Sequence, residues 1–259
     1  MKRTSAELKR IARENLQGRY GLAIGVSIVA GLITSVVLSP FSFIYQLNPT
    51  NTNQIIYMIA NIIISLVSIV LSAGLLRIHL KLARKENPVF SDLFYYFTHR
   101  PDRFIVAGFA IMLLSLACML PAIICSVAGV FVESILLLIL AILFIIAGAI
   151  GSIIISLYFG LTLILLADDN SMSAIEALRT SKELMAHNKG RLFYIQLSFI
   201  GWELLCMLSC FIGYLWLAPY MNQVTVEFYR DVKGELDAPP SDDTFYENDS
   251  IRYSAFTNY

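Results

Sequence analysis

The segment SAIEALRTSKELMAHNKGRLFY, from Ser173 to Tyr194, has a shorter counterpart near the start of the chain, SAELKRIARENLQGRYG, from Ser5 to Gly21. Each begins at a Ser/Thr-x-x-Glu tetrad (Thr4 to Glu7, Ser173 to Glu176), passes through a charged stretch to Gly-Arg and an aromatic, and then turns apolar. In such a tetrad the hydroxyl and the carboxylate each satisfy a backbone donor left over at a helix start. Leu8, Ile11 and Ala12 recur at helical spacing in the first segment, and Ile175, Leu178 and Met185 do so less cleanly in the second. The pattern predicts surface helices over 4–18 and 171–189, lying along a membrane face with apolar residues towards lipid and Lys and Arg among anionic headgroups. Gly18 and Gly190 free the helix ends to turn. Arg19 and Arg191, beside Tyr20 and Phe193, are interface anchors at headgroup level. A degenerate third copy, FSDLFYYFTHRPDRF from Phe90 to Phe104, lacks the tetrad but delivers Arg103 and Phe104 to another apolar run.

The long apolar runs entered from these segments set the class. Hydrophobic residues make up 57% of the chain and charged ones 15%, against about 45–50% and about 25% in soluble domains. No Asp, Glu, Lys or Arg occurs from Tyr20 to Leu76, from Phe104 to Val132 or from Ser134 to Ala167, and only Glu203 from Leu192 to Val226. A membrane helix needs roughly 20 apolar residues. The first run is divided by NPTNTNQ (Asn48 to Gln54), a turn composition, into spans at about 21–46 and 54–76. The next run gives a span at about 104–127, in which Pro121 is a candidate kink. The run 135–167 is roughly 50 Å long as one helix; it is either one long span or two broken at AGAIG (Ala147 to Gly151). With one span, segments 1–19, 77–103, 168–191 and 230–259 fall on one side, and they hold all 19 Lys and Arg residues, as cytoplasmic loops do. One span is therefore preferred. The last run gives spans at about 192–212 and 214–229, the second diluted by Pro219, Asn222, Gln223 and Glu227. The alternative is five spans with an external tail.

The expected fold is therefore an all-α polytopic bundle of about six spans, a plasma-membrane protein with both termini cytoplasmic. Residues 1–233 form the membrane domain, arranged as three surface-helix-plus-hairpin units over roughly 1–76, 90–167 and 171–229. Residues 234–259 form an acidic tail that is too poor in core-forming residues to fold. No cleavable signal is read at the start. Net charge is zero, so nothing points to nucleic acid.

The segments ELKRIARENLQGRYGLAI, ALRTSKELMAHNKGRLFYIQLSFIGWELL and GYLWLAPYMNQVTVEFYRDV together resemble a bacterial family of integral membrane proteins known only as a domain of unknown function. The likeness covers most of residues 1–233. A more distant similarity is to the multi-span domain that precedes some glycerophosphodiester phosphodiesterase domains; the hydrolase domain itself is absent. The resemblance implies a bacterial plasma-membrane protein and brings no catalytic residue with it.

Chemistry-bearing residues are few. Glu203 is the one ionisable group well inside an expected span, and intramembrane carboxylates are functional candidates. With a hairpin turning at Gly213, Glu203 and Gln223 lie roughly 15 Å from the turn on opposite arms. Gln223 or Asn222 then reaches the Glu203 carboxyl, which serves either as a protonated strut or as a proton or cation site. Asn61, Ser65, Ser68 and Ser72 share one helix face, either lining a pathway or packing against neighbouring helices. Gly148, Ser152, Ser156 and Gly160, and also Gly21 and Gly25, form small-residue seams for packing within the chain or in a homo-oligomer. Cys118, Cys125, Cys206 and Cys210 lie in apolar runs without a CxxC and read as packing residues. Asp168 and Asp169 form an isolated acidic pair, read as a helix stop rather than a Mg²⁺ site. His79, His99 and His187 are scattered. No catalytic, cofactor-binding or metal-ligating residue is assigned. The expected function is a non-enzymatic membrane assembly, envelope-maintenance or interaction role, with lipid as partner. The alternative is a transporter of small solutes or ions using Glu203 and the Asn61 face.

Overall fold

Both Ser/Thr-x-x-Glu tetrads open helices in the computed structural model, which describes residues 2–237. Thr4 Oγ1 accepts from the Glu7 amide at 3.3 Å while the Glu7 carboxylate accepts from the Thr4 amide at 2.7 Å, starting α1 (Ser5–Leu16). Ser173 and Glu176 do the same for α8 (Ala174–Met185). Between and after them run α2 (Tyr20–Leu47), α3 (Asn51–Ala83), a 3-10 turn (Phe90–Phe94) continuing into α4 (Tyr95–Thr98), α5 (Pro101–Phe131), α6 (Ile135–Phe159) and α7 (Thr162–Asp168). Then come α9 (Lys189–Leu197), α10 (Ile200–Leu208), α11 (Tyr214–Lys233) and a final 3-10 turn (Glu235–Asp237). No strand occurs among the described residues, and the all-α bundle stands as expected. The order is a short helical segment followed by a hairpin, three times: α1 with α2–α3, the 90–98 segment with α5–α6, and α8 with α9 to α11.

Five helical stretches are long and apolar enough to cross a membrane: Tyr20–Leu47, Asn51–Ala83, Pro101–Phe131, Ile135–Asp168 and Lys189–Leu208. They are what a membrane protein requires; α11, the expected sixth span, is not among them. The long fourth run is one path, as the placement of Lys and Arg favours. Its break falls at Gly160–Leu161, and Ala147–Gly151 is continuous helix. There Gly148 packs so closely on α5 that an added Cβ would stand 2.9 Å from the Cys118 carbonyl oxygen. Gly21 and Gly25 behave differently: nothing lies within 4 Å of where their Cβ atoms would be, so they form no seam within the chain.

The core sits at the charged end of the bundle. Leu8, Ala12, Tyr96, Phe104, Leu161, Leu166, Met185, Val224, Phe228 and Tyr229 are buried in one cluster, and Leu16, Val26, Leu71, Ile78, Leu82 and Leu93 in another. The distal halves of the two long hairpins instead expose apolar side chains, among them Val36, Phe43, Ile62, Leu113, Ile124, Ile142 and Ile154. The stripe of α1 is thus not lipid-facing. Leu8, Ala12 and Leu16 are fully enclosed by protein, Leu8 and Ala12 in the cluster that includes α11 and Leu16 in the cluster of α2 and α3, with burial of each leucine contributing about 1.5–3 kcal/mol. The expected orientation, apolar side towards lipid, is corrected for α1. In α8, Ala174, Ala177, Ser181 and Met185 face protein while Ile175 stays exposed.

The two Gly-Arg turns also differ. Gly18 takes φ +78°, the left-handed conformation that closes α1. Gly190 lies inside the first turn of α9, and the break comes earlier, where Asn188 Nδ2 caps the Leu184 carbonyl at 2.7 Å. The third hairpin is shallower than the others. From Gln223 to the α10–α11 turn is about 15 Å of helix, whereas α3 continues about 42 Å from His79, beside Gln223, to Asn51. Accordingly Tyr214 and Leu215, at the tip of α11, share a groove with Ile28, Gly31 and Leu32 in the middle of α2. Of the expected acidic tail, Gly234 to Asp237 are folded; residues 238–259 lie outside the described residues.

Candidate functional site

Glu203 and Gln223 do not meet. The turn spans Ser209–Gly213, with Cys210 and Phe211 in positive φ (51° and 64°), so its centre lies earlier than Gly213. Counting outward from that centre puts Glu203 opposite Pro219, about a helical turn from Gln223. Glu203 is half-buried, its carboxyl has no hydrogen-bond partner among the described residues, and Asn222 makes no bond to it. The expected strut is corrected accordingly.

Gln223 points the other way, into the core. Its Oε1 lies 2.8 Å from Nδ1 of His79, and its Nε2 donates to the His79 carbonyl at 3.3 Å and to Glu227 Oε1 at 2.9 Å. With the amide oxygen facing the ring, Nδ1 must carry the proton, and His79 is the neutral Nδ1–H tautomer. Its Nε2 has no partner. Glu227, fully buried, also accepts from Asn15 Nδ2 at 2.8 Å and Arg230 Nη1 at 3.0 Å. Around this centre are two further groups. Asp231 binds Arg191 at 2.5 Å and Arg3 at 3.3 Å. Asp168 binds Arg84 at 2.6 Å, Tyr229 at 2.6 Å and Lys233, while Glu235 joins Arg84 and Arg230 at 2.9 and 3.1 Å. Chemically the arrangement clamps: Asp231, Asp168 and Glu235 are matched by cations from other parts of the chain and Glu227 by Arg230 of its own helix and the Asn15 amide, joining the N-terminal segment, α3, α7, α9 and α11. The signal in the sequence was the i, i+4 pair Gln223 and Glu227, flanked by Asp231 one turn on. It was legible as a polar face rather than as dilution of a span.

The remaining candidates separate. Asn61, Ser65, Ser68 and Ser72 all return a hydrogen bond to a carbonyl four residues earlier in α3. Asn61, Ser65 and Ser68 line a groove of about 430 Å³ with Thr34 and Ser35 of α2, away from Glu203. The three anchor arginines are held by protein. Arg19 donates to the Glu86 carbonyl at 2.5 Å and Asn87 at 3.2 Å. Arg103, buried, donates to the Asp169 and Met172 carbonyls, both at 2.9 Å. Arg191 adds the Arg3 carbonyl at 2.7 Å. Asp169 turns away from Asp168 to bond Ser171, and no three His, Cys, Asp or Glu side chains converge among the described residues.

Asp92 ties the 3-10 segment to α3 through Lys81 (2.8 Å) and Arg77 (3.2 Å). Burial pushes its carboxyl up, but Lys81, the Val89 amide and Arg77 outweigh this and hold it below its ordinary 3.8. Glu235 is likewise held below 4.5, where Arg84 and Arg230 overcome burial. A carboxyl depressed in the folded state contributes stability that is present above its unfolded value and lost as pH falls through the folded one. The apparent Tm in detergent should therefore be level from pH 7 to about 5 and fall below about 4.5. Asp92→Asn should flatten part of that fall. An acid limb identical in the variant would count against the Asp92 contribution.

A second feature lies at the membrane-ward edge of the clamp. Between α1, α10 and α11 opens a cleft of about 660 Å³, with Lys9 and Arg13 at its mouth, Trp202, Trp216 and Tyr220 on its walls, and Cys206 and Gly213 at its floor. No curated protein and no solved structure matches the chain. The family model described as Protein of unknown function (DUF975) matches residues 1–235, nearly the whole of the described chain, and the protein belongs to that family.

Proposed function

We propose that the protein is a non-enzymatic, multi-pass component of the bacterial plasma membrane with an assembly, envelope-maintenance or interaction role, and that both ends of the described chain lie in the cytoplasm. The observation that carries this reading is the clamp. Its buried carboxylates, Glu227, Asp231 and Asp168, are occupied by Asn15, by Arg191 and by Arg84 from other segments, which suits holding helices in register. Arg3 bonds both Asp231 and Asp237, so the two ends of the described chain meet on one side. That supports an even number of membrane passages with α11 as the returning arm. The one-sided distribution of Lys and Arg supports the cytoplasm as that side. The residues that motivated transport, Glu203 and the Asn61 face, lie on separate surfaces.

Single cysteines at Thr50 and Asn248, in a cysteine-free background, test the orientation. Thr50→Cys, in the α2–α3 turn, should react with an impermeant thiol reagent added to intact cells. Asn248→Cys should react only after the membrane is opened. Labelling of Asn248→Cys from outside would refute the shared cytoplasmic side.

A further inference from the structure

The geometry points to the cleft between α1, α10 and α11 as a binding site for one anionic phospholipid of the surrounding bilayer, its phosphate held by Lys9 and Arg13 and an acyl chain lying between Trp202 and Trp216. The proposal rests on the membrane reading and adds a ligand and a place for it.

Four observations converge on it. First, the charge at the mouth is uncompensated. Lys9 Nζ donates to Ser198 Oγ at 2.6 Å and sits over the Phe199 ring at 4.3 Å; the Arg13 guanidinium donates to the Lys9 carbonyl at 3.4 Å. Neither has a carboxylate partner among the described residues, although most cations of the clamp do. The nearby Glu14 is taken by Arg10 at 2.8 Å on the adjoining face of α1. Burial, and to a lesser degree Arg13, pushes the Lys9 ammonium below its ordinary 10.5, as expected of a partly desolvated cation. Second, the walls below are apolar and aromatic, and the cleft's volume lies within the range of small-ligand sites, about 300–1,000 Å³. Third, the cleft is open on its lipid side: Trp202 and Trp216 are 61% and 55% exposed although they stand on helices of apolar composition. Fourth, the shallow third hairpin makes the space. α10 and α11 come together at the turn, where a Cβ on Gly213 would stand 2.9 Å from Cys206 Sγ, and are spread apart above it. A cationic mouth above an apolar slot is complementary to a phosphate above a hydrocarbon chain. Trp and basic side chains at one level are how proteins meet headgroups.

Trp202 and Trp216 are the chain's two tryptophans, and both line the cleft, so their fluorescence reports on it directly. The full chain is reconstituted in mixed vesicles in which either phosphatidylglycerol or phosphatidylcholine carries brominated, quenching chains. Brominated phosphatidylglycerol should quench at lower mole fraction, corresponding to about thirtyfold preferential binding for two basic contacts. Lys9→Gln combined with Arg13→Gln should bring the preference close to one. Lys2→Gln combined with Lys182→Gln, which removes the same charge from exposed positions outside the cleft, should leave it intact. Both doubles alter side chains outside the buried core, and an unchanged Tm confirms the fold. Equal quenching by the two lipids in the unaltered protein would overturn the site while leaving the membrane reading in place. Equal loss in both double variants would overturn it in favour of general surface attraction. Abolition of the preference by millimolar inorganic phosphate would make it a free-anion site and overturn the lipid assignment. Absence of quenching by either lipid would overturn both readings.

Discussion

Replacing Asp231 by alanine is expected to cut the folded yield severalfold and to lower stability by about 3 kcal/mol. The Asp231 side chain has no solvent exposure, and it is the shared anion for Arg3 and Arg191, which keep 26% and 25% of theirs. Removing it leaves the half-enclosed Arg191 guanidinium without its carboxylate and Arg3 with the more exposed Asp237 alone. Breaking a buried pair by deleting one partner costs about 3–5 kcal/mol; the residual exposure of the arginines places this case at the lower end. The loss also frees the N-terminal segment, because Arg3 and Arg191 are joined through Asp231 and through the Arg3 carbonyl. Asp231→Asn keeps the volume and one acceptor and should fall between. Glu14→Ala breaks only the exposed i, i+4 pair with Arg10, worth about 0.3–0.5 kcal/mol, and serves as the reference. Thermal unfolding in detergent, followed by size-exclusion recovery, gives the ranking. An Asp231→Ala protein as stable as Glu14→Ala would refute the clamp.

Gly74→Ala should be comparably damaging although it adds one methyl group. Gly74 is where α3 passes the 3-10 segment. A Cβ there would stand 2.6 Å from the Leu93 carbonyl carbon and 2.9 Å from its Cα, and closer still to its oxygen. These are backbone atoms, so relief requires shifting the whole segment. That shift would withdraw fully buried Leu93 from Leu71, Ile78 and Leu82 and pull Asp92 from Lys81 and Arg77. Overpacking typically costs about 1–3 kcal/mol, and the loss of buried contacts places this change at the upper limit. Gly108→Ala is the informative contrast. Its added Cβ would meet Ile69 Cδ1 at 2.8 Å, the far end of a flexible side chain that can rotate, so its cost should stay below about 1 kcal/mol. If the two variants unfold together, the close approach at Leu93 is not what fixes the segment.

Both changes fall on contacts that the sequence only partly shows. Asp231 reads as one acid just past the last apolar run, and Gly74 as one more small residue in an apolar run. Local features are a different matter. The two capping boxes involve atoms three residues apart, so the sequence determines them completely. The helical class and the long apolar runs follow from unbroken composition over 20 residues or more. The confinement of Lys and Arg to one end is likewise a property of the chain order alone.

The partner of each face was decided only by tertiary structure. The stripe Leu8, Ala12 and Leu16 is equally suited to lipid and to a helix, because burial in either removes the same apolar area from water; the clusters built on α11 and on α2 with α3 are what cover it. Gln223 is two positions from Met221 and four from Glu227, and which of its neighbours it bonds depends on how α11 is rotated. A residue's rotation about the axis changes by 100° per position, so a turn centred slightly before Gly213 moves Glu203 away from Gln223 while His79, far away in sequence, takes its place. The arginines at the membrane edge show the same division. The sequence determines that Arg19, Arg103 and Arg191 stand where the chain enters its apolar runs. The fold decides that they bond carbonyl and carboxylate groups of neighbouring segments, and that Lys9 and Arg13 are left facing the open cleft. Patterns along the chain record what a side chain needs, and long-range packing alone determines which group supplies it.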